Sequence, residues 1–235
     1  MSPLYINNVL TSAQKLVFTK LAIFKHIGVL AGGTALAFQL KHRRSFDFDI
    51  FTFKKIPPDL AWEVKKIFGK KIKVIKESEN ELTFLTPKKV KITFFYYPFK
   101  PLYKVIRTGS ISIFDWRDIA ADKAYTLGRR PIYRDYVDIF FVIKKGHRLE
   151  NIILDAKQKF EDLFSEKLFL EQLTYFKVLQ DFKIEFLGKG FQLEEVRLFF
   201  EKVAEQYTES ILKKKWKKIL TVIFICQPQK PKNTA

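Results

Sequence analysis

The sequence predicts an α+β fold in which a mixed β-sheet lobe with flanking helices, residues 1–114, precedes an α-helical lobe, residues 115–235. Three observations predict it. Short apolar runs bounded by turn residues dominate the first half and are typical of strands. In the second half, Phe and Leu recur at helical spacing. With 235 residues and 47% hydrophobic content, the chain can bury one or two well-packed cores.

The N-terminal part is expected to be an amphipathic helix from Leu10 through Phe24, packed beside the rest of the first lobe. Its apolar positions are Ala13, Leu16, Val17, Leu21 and Phe24. Residues 27–31 then predict a short buried strand, and residues 34–40 a helix, with Gly32 and Gly33 at the junction.

That glycine junction has the features of a phosphate site. Gly32 and Gly33 permit positive φ and close backbone approach, and the following helix offers free N–H groups and a partial positive charge to an anion. Thr34 can cap the helix or contact a phosphate oxygen. Beyond the helix, Arg44 and Ser45 can add a guanidinium group and a hydroxyl for a triphosphate, and neighbouring His42 is a further candidate contact.

A pair of acids follows directly. Asp47 and Asp49 lie two residues apart in a predicted strand, so both carboxylates are expected on one face. The alternate positions are expected to point into the core, and they are Phe46, Phe48 and Ile50. Two hard oxygen donors side by side suit Mg²⁺, which proteins usually hold with one or two carboxylates plus substrate phosphates. Alone, alternating Asp is usually a solvated face and Gly-Gly a simple turn, but their order here favours one joint site.

The remaining elements of the first lobe are predicted from the spacing of their apolar residues and from the turn-forming residues between them. Leu60 to Phe68 predicts a helix, and strands are expected at residues 72–75, 81–85 and 90–97. Residues 98–101 interrupt the pattern with two prolines. Residues 111–113 predict a last short strand before Asp115 caps the first helix of the second lobe, which gives the boundary near residue 114.

The second lobe begins with a charged constellation. Lys123 lies on one predicted helix, and Asp135 and Asp138, three residues apart, share one face of the next. A lysine beside a triphosphate can neutralise charge that develops during phosphoryl transfer, and Arg130 in the intervening loop can assist. The alternative is a helix pair tied by surface ion pairs that individually contribute little.

These two constellations resemble a known family. Gly32-Gly33-Thr34 through Asp49 is similar to the first motif of the AbiEii/AbiGii-type nucleotidyltransferase toxins, in the DNA polymerase beta superfamily. Asp118 through Lys123, then Arg129-Arg130 and the run from Arg134 to Ile139, resemble the family's later motif. The resemblance covers roughly residues 25–145.

The resemblance implies a nucleotidyltransferase-like fold, with a catalytic lobe at 1–114 and a helical lobe that completes the site. It implies Mg- or Mn-dependent transfer of NMP from NTP to an acceptor hydroxyl, with Asp47 and Asp49 on the metal. Lys123 and Arg130 would offset phosphate charge, and Asp135 or Asp138 would orient Lys123 or act as base. It also implies a toxin–antitoxin or phage-defence setting, an antitoxin protein as a possible partner, and RNA, in particular the acceptor end of tRNA, as the acceptor.

One departure leaves the general base open. A polymerase-type site usually carries a third carboxylate on a later strand, but residues 90–97 place Lys91, Thr93 and Phe95 on one face and no acid. Asp138 can act as the base or serve as a structural partner of Lys123 or an arginine. The missing acid also motivates an alternative function, a catalytically degenerate scaffold that binds nucleotide or RNA.

The charge and the C terminus favour polyanionic partners. With 43 Lys and Arg against 25 Asp and Glu, the net charge is +18, which attracts phosphate backbones, although a solvated lysine-rich surface remains the alternative. The last helix carries an apolar stripe over residues 211–223 flanked by lysines, which suits docking onto the helical lobe, RNA or a membrane surface. Residues from 227 onward are expected to form a frayed tail.

The cellular compartment is expected to be the cytoplasm. No leader-like segment and no membrane-length apolar run is apparent, so no stable membrane insertion is expected. The single cysteine, Cys226, excludes an intramolecular disulfide and is expected to be a small core residue. The three histidines are scattered, which makes a zinc site improbable.

Overall fold

A five-stranded mixed sheet forms the centre of this computed structural model, which describes residues 3–127, 129–130, 132–180 and 182–225, with side chains except at 215 and 218–225. In chain order the strands are β1 (Val29–Ala31), β2 (Phe48–Thr52), β3 (Lys73–Glu77), β4 (Glu81–Leu85) and β5 (Lys91–Tyr96). They lie in the order β1-β2-β5-β4-β3. Only the pairing of β2 with β5 is parallel among these neighbours.

Helices flank the sheet and form the second half of the chain. They are α1 (Ile6–Val9), α2 (Ser12–Lys20), α3 (Gly32–Leu40), α4 (Leu60–Phe68), α5 (Trp116–Leu127), α6 (Tyr133–Lys144), α7 (Leu149–Phe160), α8 (Glu166–Thr174) and α9 (Leu193–Ile225). The predicted α+β class, with a mixed sheet followed by a helical region, is confirmed. Every helix in the described part of the chain is too short or too polar to span a bilayer.

The sheet has one apolar face and one mixed face. Alternate residues of β2, β4 and β5 are fully buried on the apolar side; they are Phe48, Ile50, Leu82, Phe84, Ile92 and Phe94. Phe24 and Phe68 cover this side, and the Phe24 ring meets Phe94 edge to face at 5.3 Å. Because side chains alternate along a strand, the residues between them all face the opposite side, where Asp49 lies.

The N-terminal part is more broken than expected. A capping box between Thr11 and Gln14 starts α2, so the helix predicted over Leu10 to Phe24 begins at Ser12 and ends at Lys20, and a 3₁₀ turn follows at Leu21–Phe24. The separate short helix α1 precedes it. Leu16, expected on the apolar face, is 55% exposed. Residues 111–113 form bridges to Leu30 and Ile106 in place of the expected strand.

Two apolar predictions in the middle of the chain are wrong. Phe46 is 49% exposed, because β2 begins only at Phe48 and Phe46 lies before the strand. The helical spacing of Phe and Leu also places Leu163 in the core, but this residue is 55% exposed in a 3₁₀ turn, while Phe169 is buried nearby. The sequence further predicts a helix break at residues 145–147, which is confirmed, and a helix-ending turn at residues 188–190, which lies instead within a longer non-helical stretch between α8 and α9.

The helical lobe also contains an unpredicted non-helical stretch between α8 and α9, described at residues 175–180 and 182–192. It returns to the first half of the chain, where Phe186 forms a bridge with Arg43 and the Arg44 N–H donates to the Glu185 carbonyl at 2.8 Å. Buried apolar residues from both sides of residue 114 belong to one continuous core. The domain boundary at 114 stays a prediction.

Among the described side chains of helix α9, the fully buried ones lie in its first half. Val196 and Phe200 are fully buried, and Lys214 pairs with Glu150 at 2.6 Å. Farther along, Leu212 and Trp216 of the apolar stripe predicted to dock are more than half exposed. Residues 218–223 of that stripe lie outside the described side chains. Cys226 and the expected tail lie outside the described residues.

Candidate active site at the glycine turn

The glycine turn and the carboxylate strand face each other directly. Ala31 pairs with Asp49 across β1 and β2, and Gly32 opens α3 with φ of +65°. A Cβ atom at Gly32 would lie 2.7 Å from the Asp49 Oδ2 oxygen. Both the left-handed backbone and the close carboxylate therefore require glycine at this position.

Asp47 and Asp49 reach the same face of the sheet. Asp49 pairs with Thr93 on parallel β5. Lys91 lies two residues before Thr93 on the same face of β5, and its Nζ lies 2.9 Å from Asp47 Oδ2. Burial raises the pKa of Asp49, and the negative charge of Asp47 raises it further. The Asp49 carboxylate therefore lies against the glycine turn with Asp47 nearby, and the metal role of the two acids stays a prediction.

A cavity of about 530 Å³ opens beside Asp49. One end has the phosphate-site features, since Gly32, Gly33 and Asp49 lie there with Lys123 and Arg130. The rest of the wall is largely aromatic but also carries the Glu81 and Asp122 carboxylates; its rings are those of Phe51, Phe95, Tyr96, Tyr97, Phe99, Tyr125 and Phe160. This cavity thus combines a charged end with an aromatic wall, and aromatic rings are groups on which a nucleobase can stack.

Asp138 is the centre of a buried charge network behind the turn. Its carboxylate is fully buried and accepts from Arg43 Nε at 2.8 Å, Arg43 Nη2 at 2.9 Å and His42 Nε2 at 2.8 Å. Lys123 Nζ lies 2.9 Å from the Asp138 Oδ2 oxygen. Arg43 also lies against the turn, because a Cβ at Gly33 would be 2.7 Å from Arg43 Nη2.

The network extends to the cavity through Lys123. Its ammonium also pairs with Asp135, and Arg130 donates to the same carboxylate at 2.9 Å and 3.3 Å. The ion pairs predicted between these two helices therefore exist, but they are mostly buried, with Lys123 only 7% and Asp135 1% exposed. The surface ion-pair alternative does not describe them.

The network holds Asp138 and Lys123 in their charged forms. Burial alone would raise the pKa of Asp138, but the Arg43 and Lys123 charges and the His42 hydrogen bond outweigh it and hold that pKa well below the usual range. Burial would likewise lower the pKa of Lys123, but Asp135 and Asp138 raise it. Burial lowers the pKa of His42. A carboxylate this strongly stabilised is a poor proton acceptor. This favours a role for Asp138 as a structural partner of Lys123 and Arg43 over a role as general base.

Three predicted triphosphate contacts do not line the cavity. Thr34 is buried and donates its hydroxyl hydrogen bond to the Asp47 carbonyl, so it fixes the carboxylate segment to α3. Arg44 pairs with Glu185 and donates to the Val9 carbonyl at 3.1 Å. Ser45 lies near the turn, since its Oγ would be 3.1 Å from a Cβ at Gly33.

Sequence reasoning missed several residues of the site. Arg43, and not its neighbour Arg44, is the guanidinium behind the turn. Asp122 lines the cavity, where its carboxylate accepts from the Tyr97 hydroxyl at 2.6 Å and Lys159 at 2.7 Å. The adjacent arginines at 43 and 44 were a sequence signal for Arg43. The position of Asp122 directly before Lys123 was a signal for Asp122.

The third carboxylate is missing from β5, as the sequence predicted. Thr93 is the register partner of Asp49, and its hydroxyl lies 3.2 Å from that of Thr83 on β4. Across the described residues, there is no group of three or more Asp, Glu, His or Cys side chains that could hold a metal ion. The candidate metal ligands are therefore the two acids alone.

Comparisons with known proteins identify a relative and a shared fold. No family model matches the chain. Uncharacterized protein aq_aa25 of Aquifex aeolicus (strain VF5) is 30% identical over 187 residues, which cover 77% of this chain and 88% of that protein.

Two solved structures share the fold. A candidate nucleotidyltransferase from Helicobacter pylori is 20% identical with a TM-score of 0.53, over 87% of this chain and 98% of that one. MenT4, the nucleotidyltransferase toxin Rv2826c from Mycobacterium tuberculosis H37Rv, is 13% identical with a TM-score of 0.55, over 82% of this chain and 80% of that one. The likeness extends to the nucleotidyltransferase fold in general, and the narrower AbiEii/AbiGii resemblance stays a prediction. The chain belongs to the protein family of aq_aa25 and has the fold of the nucleotidyltransferases.

Proposed function

We propose that this protein is a metal-dependent nucleotidyltransferase that transfers NMP from an NTP to an acceptor hydroxyl. The acceptor oxygen attacks the α-phosphorus, the bond from that phosphorus to the bridging oxygen breaks, and pyrophosphate leaves. The observation that carries the proposal is the Asp49 carboxylate packed against Gly32 at the charged end of the cavity. The shared fold of MenT4 supports it.

The acid pair suits Mg²⁺ or Mn²⁺. Burial and the neighbouring Asp47 charge both disfavour the ionised form of Asp49, and a divalent cation would relieve both costs. Asp47 and Asp49 would hold the cation together with phosphate oxygens of the NTP. When bound, such an ion neutralises phosphate charge and polarises the phosphoryl group that is transferred.

The positive groups of the site suit a triphosphate. Gly32 and Gly33 open α3, so the first free N–H groups of that helix lie at the turn. Lys123 and Arg130 line the same end of the cavity. The raised pKa of Lys123 keeps its ammonium charged, so it can offset charge on the phosphates during transfer.

The aromatic wall suits the nucleoside. Tyr97 is stacked on Phe51 with ring centroids 4.3 Å apart, and Tyr125 is stacked on Phe160 at 4.2 Å. The Asp122 carboxylate fixes the Tyr97 hydroxyl. Rings held in this way lose little conformational freedom when a base stacks on them, and stacking tolerates any of the four bases.

RNA is the acceptor that the charge favours. The net charge of +18 attracts a phosphate backbone, and the acceptor end of tRNA offers a free hydroxyl. The fold shared with the toxin MenT4 supports a toxin–antitoxin or phage-defence role in the cytoplasm, with an antitoxin protein as partner.

A second candidate function is nucleotide or RNA binding without catalysis. Thr93, which is paired with Asp49, favours this binding function. A polymerase-type site usually has a carboxylate on this strand to activate the attacking hydroxyl, and Thr93 is not an acid. Both functions use the same cavity, and they differ only in whether a phosphorus–oxygen bond is broken.

Label transfer separates these two functions. Purified protein is incubated with Mg²⁺, total tRNA and each of the four NTPs carrying ³²P at the α position, and in parallel at the γ position. We expect α label, and no γ label, to enter the RNA. Asp49→Ala should abolish the transfer. Asp59→Ala is the matched control, because Asp59 is exposed before α4 and makes no capping hydrogen bond. If the wild type binds NTP but transfers no label to any acceptor, the binding function replaces the enzymatic one.

A further inference from the structure

Lys91 occupies an unusual position for a surface lysine, since it contacts an acid of the proposed metal site. Its Nζ lies 2.9 Å from Asp47 Oδ2, and the two side chains are 40% and 37% exposed. An ion pair this exposed contributes little to the free energy of folding. Its location beside the second acid of the pair therefore calls for a role other than stability.

The sheet register explains how Lys91 arrives there. Lys91 and Thr93 are two residues apart on β5 and share one face. Thr93 is paired with Asp49, so Lys91 comes beside Asp47 on the parallel strand. Lys91 thus lies on the strand that carries the third acid in a polymerase-type site, two residues before Thr93.

Charge counting then limits how many cations the site can take. Asp47 and Asp49 supply two negative charges, and Lys91 adds a positive charge directly beside Asp47, in addition to those of Lys123 and Arg130 in the cavity wall. A polymerase-type site with two metal ions needs more carboxylate oxygens than this pair provides. Glu81 also lines the cavity, where it accepts from Thr83 at 2.8 Å and pairs with Lys76 at 2.6 Å, but among the described residues no three Asp, Glu, His or Cys side chains form a group that could hold a metal ion.

We propose that the Lys91 ammonium takes the place of a second metal ion beside the acid pair, so that each chain takes one divalent cation with its nucleotide and not two. This inference rests on the proposed function. Lys91 offsets the charge of the acid pair and competes with a second cation, but it cannot bind a hydroxyl oxygen as a metal ion does. The single cation is therefore assigned to the acids and the nucleotide.

Metal binding without turnover tests the proposal. Mn²⁺ is titrated into protein in excess over an NTP analogue with a non-cleavable α,β bridge, and bound Mn²⁺ is counted by electron paramagnetic resonance. We expect one Mn²⁺ per bound analogue in the wild type. Two per analogue would overturn the proposal while leaving the proposed function intact.

A lysine variant series adds a second measurement, the affinity for Mn²⁺ alone. We expect Lys91→Met to bind Mn²⁺ about tenfold more tightly, because a positive charge beside the ligands is removed. Lys91→Arg should behave as the wild type. Lys88→Met, an exposed lysine just before β5, is the matched control and should change nothing. Unchanged affinity in Lys91→Met would overturn the proposal.

Acid variants keep the two proposals distinguishable. Asp49→Asn should lose Mn²⁺ binding in the same titration. If Asp49→Asn binds Mn²⁺ as well as the wild type, the acid pair is not a metal site and the proposed function fails with the inference.

Discussion

Replacing Asp138 by Asn tests whether this residue holds the site together or acts as a base. In the wild type, Asp138 and Asp135 balance Arg43 and Lys123, all nearly excluded from solvent. Asn preserves the shape but leaves the buried cluster with one uncompensated positive charge. Breaking a buried pair in this way costs about 3–5 kcal/mol.

That cost is large against a typical total stability of about 5–15 kcal/mol. For a chain of this size it corresponds to a fall in Tm of roughly 6–20 °C. Urea unfolding at pH 7 measures it, with Asp59→Asn as the exposed control. If Asp138→Asn unfolds within about 0.5 kcal/mol of the wild type but transfers no nucleotide, Asp138 is the general base and the structural interpretation is wrong.

The pH dependence of this difference has a definite sign. The pKa of Asp138 in the folded protein lies well below its ordinary value of 3.8. A group whose pKa falls on folding contributes stability above its unfolded pKa and loses it as pH decreases toward the folded pKa. The difference in unfolding free energy between wild type and Asp138→Asn should therefore be full at pH 7 and shrink below about pH 4.

Four further variants test the site. Asp49→Asn should abolish label transfer yet unfold at the same or a higher urea concentration, because burial already opposes its charge; a clear destabilisation would contradict this. Gly32→Ala should lose activity and about 1–3 kcal/mol of stability, since φ of +65° and the Asp49 oxygen both exclude a Cβ; an active, stable variant would contradict the close turn. Arg44→Ala should change the KM for NTP less than about threefold, because its partner is Glu185, whereas Arg130→Ala should raise it at least about tenfold; steady-state kinetics would expose the reverse order.

The parts of the fold that the sequence predicted are those with a clear local period. The helix at Leu60–Phe68 and the strand at Glu81–Leu85 have the predicted bounds, because a strong apolar pattern and flanking breakers define them. The alternation from Phe48 to Thr52 predicted which side Asp49 faces. The prediction that Phe46 points into the core was wrong, because β2 begins two residues later, at Phe48.

The remaining features depend on contacts between distant residues. Arg43 and Arg44 are adjacent and chemically equivalent, and only the position of Asp138, 95 residues away from Arg43, decides which one lies behind the turn. The contact between Lys91 and Asp47 requires β5 to pair in parallel with β2, although β3 and β4 come between them in the chain. Residues 175–192 have no period, so their return to Arg43 left no sequence signal.

The most direct test of the central claim is a crystal structure of the protein with Mn²⁺ and the non-cleavable NTP analogue, with Mn²⁺ located by its anomalous scattering. We expect one strong peak bonded to both Asp47 and Asp49, with the triphosphate lying over Gly32 and Gly33 and the base against the aromatic wall. A manganese peak away from these two acids, or a nucleotide bound outside this cavity, would contradict the account.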